Sequence, residues 1–153
     1  MQGKIIRSPE IWNKEDDNRP GIFLAGGIED CPKWQADAAE RIASCIPAVV
    51  VNPRQENSQT HSHVDSIIQM AWESKHLKKC QHIIFWFPQN NICPITLFEL
   101  GAYLNQNVNL FIGTDLQYPR RLEVEVQMAL SKPELILWSD LNQMIQQLIS
   151  GWT

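Results

Sequence analysis

Glu99 is the sole Asp, Glu, Lys or Arg between Lys79 and Asp115. It sits in an otherwise apolar run, Pro94-Ile95-Thr96-Leu97-Phe98-Glu99-Leu100-Gly101-Ala102-Tyr103-Leu104. A helix that apolar is usually buried, and a carboxylate taken out of water is costly unless it is paired or used. Pro94 suits the first position of a helix and no interior one, so a helix is expected to start there. Glu99 then falls in its second turn, where the positive helix end favours the ionised form. An ionised, partly desolvated carboxylate at a strand-to-helix junction has the chemistry of a nucleophile. The competing reading is a structural glutamate satisfied by an arginine or by backbone donors.

Other residues with chemistry are scattered along the chain. Gly26-Gly27 lets backbone approach a ligand closely, although without a full GxGxxG it is no dinucleotide fingerprint and serves equally as a tight turn. In Asn52-Pro53-Arg54, Arg54 could grip a carboxylate or phosphate, pair with Glu99 or Glu73, or lie on the surface. Glu73, beside Trp72, falls near the edge of a helical apolar stripe and on its own reads as a solvated residue. His61 and His63 form a lone HxH without further visible ligands, so no metal is expected. No setting suggests an activated thiol. Tyr118 precedes Arg120, Arg121, Glu123 and Glu125, where two arginines at a helix start oppose the dipole and suggest another task.

The elements that must carry these residues alternate. Compact apolar runs at 22–25, 49–52, 83–87, 110–112 and 135–138 read as buried strands, with Lys4 to Arg7 as an added edge strand. Helical patterns lie at 32–46 (Asp30 as cap), 63–79 (Val64, Ile67, Ile68, Ala71, Trp72 as apolar stripe), 94–104, 121–130 and 140–149 (Asp140 as cap). This alternation calls for a five-stranded parallel sheet between two helical layers, a flavodoxin-like three-layer sandwich. Residues 1–20 are expected to be an arm or edge strand and 21–153 the domain. Ligands in such sheets bind beyond the carboxyl ends of the strands. That rim collects Gly26, Gly27, Asn52, Arg54, Cys93, Tyr118 and Glu99.

With 153 residues, 44% of them hydrophobic, the chain suits one domain with a real core. A net charge of −4 without a basic patch argues against a nucleic-acid polymer as partner. No apolar stretch reaches membrane-spanning length and the start lacks a signal-peptide core. The spacing of Cys31, Cys45, Cys80 and Cys93 fits reduced thiols in a cytoplasmic protein. Six tryptophans suggest aromatic surface at a pocket or interface. Trp72, the 118–125 cluster and Trp152 suggest a homo-oligomer.

Taken in order, Ile22-Phe23-Leu24-Ala25-Gly26-Gly27-Ile28, Asp30 to Gln35, Val51-Asn52-Pro53-Arg54, Trp72-Glu73, Phe85-Trp86-Phe87-Pro88 and Cys93 to Gly101 resemble the nucleoside 2-deoxyribosyltransferase-like family. The resemblance implies exchange of the base of a 2′-deoxynucleoside through a covalent glycosyl-enzyme intermediate, without a cofactor. It puts the nucleophile on Glu99 and an upstream acid that binds or protonates the base on Glu73. It puts the glycine turn on Gly26 and Gly27, and a donor often supplied by a neighbouring subunit near Glu123. Phe23, Trp86 and Tyr118 are candidates for stacking on the base, with core packing favoured for Phe23. Two positions depart: Cys93 stands where relatives often have an acid, and Gln81 where close ones often have Asp. The substrate expected is a small nucleoside or nucleotide. A hydrolase on the same scaffold and a non-catalytic nucleotide-binding module are the alternatives.

Overall fold

The computed structural model describes residues 2–56 and 62–153. The chain runs β1 (Lys4–Arg7), β2 (Gly21–Gly26), α1 (Trp34–Cys45), β3 (Val49–Asn52), α2 (His63–Leu77), β4 (His82–Phe87), α3 (Pro94–Tyr103), β5 (Asn109–Thr114), α4 (Arg121–Ser131), β6 (Leu137–Trp138) and α5 (Leu141–Ser150). The sheet has six strands in the order β1-β3-β2-β4-β5-β6, and every neighbouring pair is parallel. Without β1 this is the 2-1-3-4-5 order of the flavodoxin-like fold. β1 lengthens the sheet by pairing Lys4–Arg7 with Val49–Asn52.

Strands buried on both faces read as continuous apolar runs, and β2, β3 and nearly all of β4 do so here. Their side chains alternate between two cores. Ile22, Leu24, Val50, Ile84 and Trp86 pack with α1 and α5. Phe23, Val51, Ile83, Phe85 and Phe87 pack with α2, α3 and α4. Capping follows composition at two helices: Ser62 accepts from the Asp65 amide and Asp140 from the Gln143 amide. The expected cap Asp30 does not cap α1. It lies in left-handed backbone (φ 56°) in the loop before that helix, which starts at Trp34 without a side-chain cap.

The segment between β1 and β2 folds onto the body. Trp12 is buried in the core under α2, and its amide donates to His76 Nε2 at 3.1 Å. The stripe on α2 is only half used. Trp72, His76 and Leu77 are buried, whereas Val64, Ile67 and Ile68 stay more than 60% exposed. Trp72 is therefore core, not interface. No helix among the described residues is long and apolar enough to cross a membrane.

Candidate active site

The sheet order reverses between β2 and β4, and beyond the carboxyl ends of these strands lies a cleft of about 500 Å³. Its walls come from the Ala25–Glu29 loop, Pro53 and Gln55 after β3, one side of α2, and the segment from Asn91 into α3. α3 starts as expected, with Pro94 in its first turn. Cys93 before it takes a left-handed conformation (φ 56°), and its amide is held by Asn91 Oδ1 at 2.9 Å. That junction aims the second turn of α3, with Glu99, at the cleft.

Glu73 reaches the same cleft from α2. It is buried, and Glu99 is half-buried. Desolvation pushes Glu99 up to about 8, and the nearby negative charge of Glu73 adds to the rise. Desolvation raises Glu73 to about 7 against the opposing effect of a hydrogen bond from Gln69. Two carboxyl groups that resist ionising together retain about one proton between them near neutral pH. Among the described residues no donor pairs with Glu99, and His82 Nδ1 is the sole fully buried side-chain polar atom without a partner. The Glu99 oxygens are therefore open to the cleft, and no arginine satisfies them.

The other sequence-predicted residues divide sharply. Gly26 and Gly27 line the cleft. Neither has positive φ, and the Gly27 amide donates to the Trp86 carbonyl. A Cβ on Gly26 would strike the Trp34 ring and the Trp86 carbonyl; one on Gly27 would lie 2.6 and 2.7 Å from the sulfurs of Cys31 and Cys93. Close packing is what requires glycine at both. Cys93 lines the cleft with a thiol that burial pushes up to about 12, so it offers shape but no thiolate.

Asn52, Arg54, Trp86, Tyr118 and Glu123 are not among the cleft walls. Asn52 is buried and its Oδ1 accepts from the Arg54 amide at 2.9 Å. Arg54 pairs with neither glutamate. Its guanidinium donates to the carbonyls of Pro32 (2.7 Å) and Cys31 (3.0 Å), tying down the loop before α1. Trp86 packs in the core on the α1 and α5 side of the sheet, opposite the cleft, so it does not stack on a cleft ligand. Phe23 is fully buried. Tyr118 packs on Phe87 and donates its hydroxyl to the Ile92 carbonyl, propping the segment before α3. Glu123 is on the surface, 3.1 Å from Arg120. Arg121 binds Thr114 and Ser139, which accounts for a cation at the start of α4. Gln81 lies just before β4, at the amino end of the strands, where its Oε1 accepts from the Gly21 amide at 2.7 Å; it does not face the cleft. His63 is exposed at the start of α2, and His61 lies outside the described residues.

Sequence reasoning missed Gln69, Gln55 and Ser8. Gln69 lines the cleft one turn before Glu73 and donates to its Oε1 at 3.3 Å. Its separation of four positions from Glu73 was the available signal.

A family model described as nucleoside 2-deoxyribosyltransferase like matches residues 19–117. The chain belongs to this family. The matched residues run from the start of β2 past the end of β5, and so include every wall of the cleft and both glutamates. Glu123 and β1 lie outside the part matched to the nucleoside 2-deoxyribosyltransferase-like family. A comparison with curated proteins gives no match.

Proposed function

We propose that the protein is an N-glycosidic-bond enzyme that transfers a 2-deoxyribosyl group between bases through a covalent Glu99 intermediate. The observation that carries this reading is the pair Glu73 and Glu99, brought from two helices to one cleft and both raised in pKa. The pair reacts in the arrangement that leaves its proton on Glu73, which the higher Glu99 value makes the less populated one, and ionised Glu99 then attacks the anomeric carbon. The C–N bond breaks with its electron pair going to the base nitrogen, which takes a proton from Glu73. A second base attacking the glycosyl ester from the vacated side gives transfer with retention; water in its place gives hydrolysis.

A neutral nucleoside is favoured over a nucleotide. The described cleft walls carry Glu29, Asp65, Glu73 and Glu99 and no Lys, Arg or His, so a 5′-phosphate would meet like charge. We further propose a homo-oligomer, because apolar side chains on α2 and α3 stand uncovered beside the cleft.

The test is incubation of the full chain with deoxyinosine, with and without adenine, followed by chromatography of the products. Transfer predicts deoxyadenosine formed only when adenine is present, and E99A lowering the rate by at least about 1,000-fold. Release of hypoxanthine at the same rate without adenine would assign a hydrolase. Intact deoxynucleosides throughout, or an E99A variant as active as wild type, would sink the Glu99 mechanism.

A further inference from the structure

Glu73 is held on one side only. Gln69 Nε2 donates both to Glu73 Oε1 at 3.3 Å and to the Pro53 carbonyl at 2.7 Å. Its own Oε1 accepts from the Ser8 hydroxyl at 2.7 Å and from Gln55 Nε2 at 2.9 Å. Gln55 also donates to Ser8, and Ser8 is anchored through its amide to the Asn52 carbonyl. The amide cannot be turned over, because that would set its oxygen against the Pro53 carbonyl and its NH2 against the donors of Gln55. The NH2 group is thus fixed toward Glu73 by three chain segments: the end of β1, the residues after β3, and α2. The second Glu73 oxygen, Oε2, has no protein partner among the described residues, yet it is not sealed from solvent. Glu73 is itself a wall of the cleft, and Oε2 is its oxygen not taken by Gln69.

We propose that Gln69 is a positioning residue that makes Glu73 a one-sided acid, holding Oε1 as an acceptor so that the transferable proton resides on Oε2, facing the leaving base. The inference rests on the glycosyl-transfer reading above. A carboxyl oxygen that accepts from a fixed N–H is the poorer place for a proton, because a proton there would oppose the Gln69 donor. In the chemical step the proton leaves Oε2 for the base nitrogen as the C–N electron pair arrives there. The negative charge that develops on Glu73 is received by the Gln69 N–H already in place, with no reorganisation. Other ionisable groups around the cleft are Glu99 on α3 with Tyr103 beside it, Asp65 on α2, Glu29 after β2 and the Cys93 thiol; His76, the next turn of α2, is turned to Trp12. Gln69 is the one side chain that donates to Glu73 among the described residues.

The test uses full-length chain carrying glutamate labelled with 13C at Cδ, with the Glu73 signal assigned through E73Q. Carboxyl titrations and pH–rate profiles for deoxyinosine cleavage are compared for wild type, Q69M and Q69L. Both variants remove the donor without adding charge beside Glu73, and their different shapes guard against one chain that fails to fold. Removing the donor should raise the Glu73 midpoint by about half a pH unit or more and move the alkaline limb of the profile upward with it. It should lower kcat by about tenfold while KM stays within about twofold. An unmoved Glu73 midpoint in a folded variant overturns the proposal, as does a lower kcat with an unshifted profile. Wild-type chain that cleaves no nucleoside overturns the enzymatic reading separately, because the titration still reads the Gln69–Glu73 coupling without substrate.

Discussion

At the scale of single residues, the site is two acids in a poor place to be charged. Glu99 was legible in the sequence because one charge in an apolar run is conspicuous. Glu73 was reached only through the family resemblance, because the helical period fixes its angle on α2 but not how deeply that part of the helix sinks into the body. Gln69, Gln55 and Ser8 are neutral and common, and the Ser8–Gln69 contact spans 61 positions, so nothing local marks them beyond the four-residue spacing of Gln69 and Glu73. The cost of charging the pair sets a stability prediction. Both carboxyl groups have folded pKa values above their ordinary ones, so the folded state holds more protons than the unfolded state above about pH 4.5 and up to about pH 8. Their contribution is full below about pH 4.5 and is lost as pH rises through the folded values. E99Q removes that loss. Allowing for screening on its open side, it should stabilise the chain by about 2 kcal/mol at pH 9, a rise in Tm of about 4–8 °C, and change little at pH 4.5. Thermal melts of wild type and E99Q across this range check it; a Tm difference that does not grow with pH would refute the buried-charge account.

At the scale of elements, the alternation of strand and helix was readable along the whole chain, including the edge strand β1. Which alternate residue of a strand faces which core was not, because a strand buried on both sides shows no polar face. That is why Trp86 read as a ligand platform and turned out to support α1 and α5. The segment from Ser8 to Pro20 read as a polar arm because it is mostly polar and holds Pro9 and Pro20, with Ile11 and Trp12 as its only large apolar residues, and of these only Trp12 is buried. Its lock on α2 is a histidine. His76 is fully buried; its Nδ1 lies 2.8 Å from the Trp72 carbonyl and its Nε2 accepts from the Trp12 amide. Only the neutral ring with its proton on Nδ1 satisfies both contacts. Burial, with Lys79 and Lys75 adding to it, lowers the His76 pKa. A histidine with a depressed folded pKa contributes stability that is full above its unfolded value near 6.5 and is lost as pH falls through the folded one. His76→Gln should therefore cost about 1–2 kcal/mol at pH 7.5, and that difference should shrink toward pH 5. Denaturant titrations at the two pH values check it, and a pH-independent difference would refute the neutral-imidazole lock.

At the scale of the whole molecule, large apolar side chains stand exposed beside the cleft, as they also do along α4 at Leu122, Val126 and Leu130. Phe98 is 78% exposed on α3, next in sequence to Glu99, and Gly101 one turn away has open space before it. Ile68 and Ile95 are exposed while lining the cleft, and Val64 and Ile67 extend the uncovered part of α2. The sequence signalled contact surface at Trp72, the 118–125 cluster and Trp152; Trp72 is buried, because the depth of α2 against the sheet decides which end of its apolar stripe is covered. Scattered exposed apolar side chains are ordinary in a monomer, but several on two helices flanking one cleft are not. A second copy is the occupant that costs no new partner, and a twofold contact would apply the same patch from both sides. Seated there, it would also shield the open side of Glu99 from water, strengthening the electrostatics of the pair. Light scattering at micromolar concentration should thus give a mass above that of one 17.6 kDa chain. Phe98→Asp places a charge on the exposed face of α3 without touching the core, so it should shift the mass to that of the monomer while the far-UV spectrum is retained. It should also lower kcat/KM by about tenfold or more, because the side chain it replaces is outside the chemistry and acts only through the neighbour. A wild-type chain that stays monomeric, or a fully active monomeric Phe98→Asp variant, would show that the cleft works without a second copy.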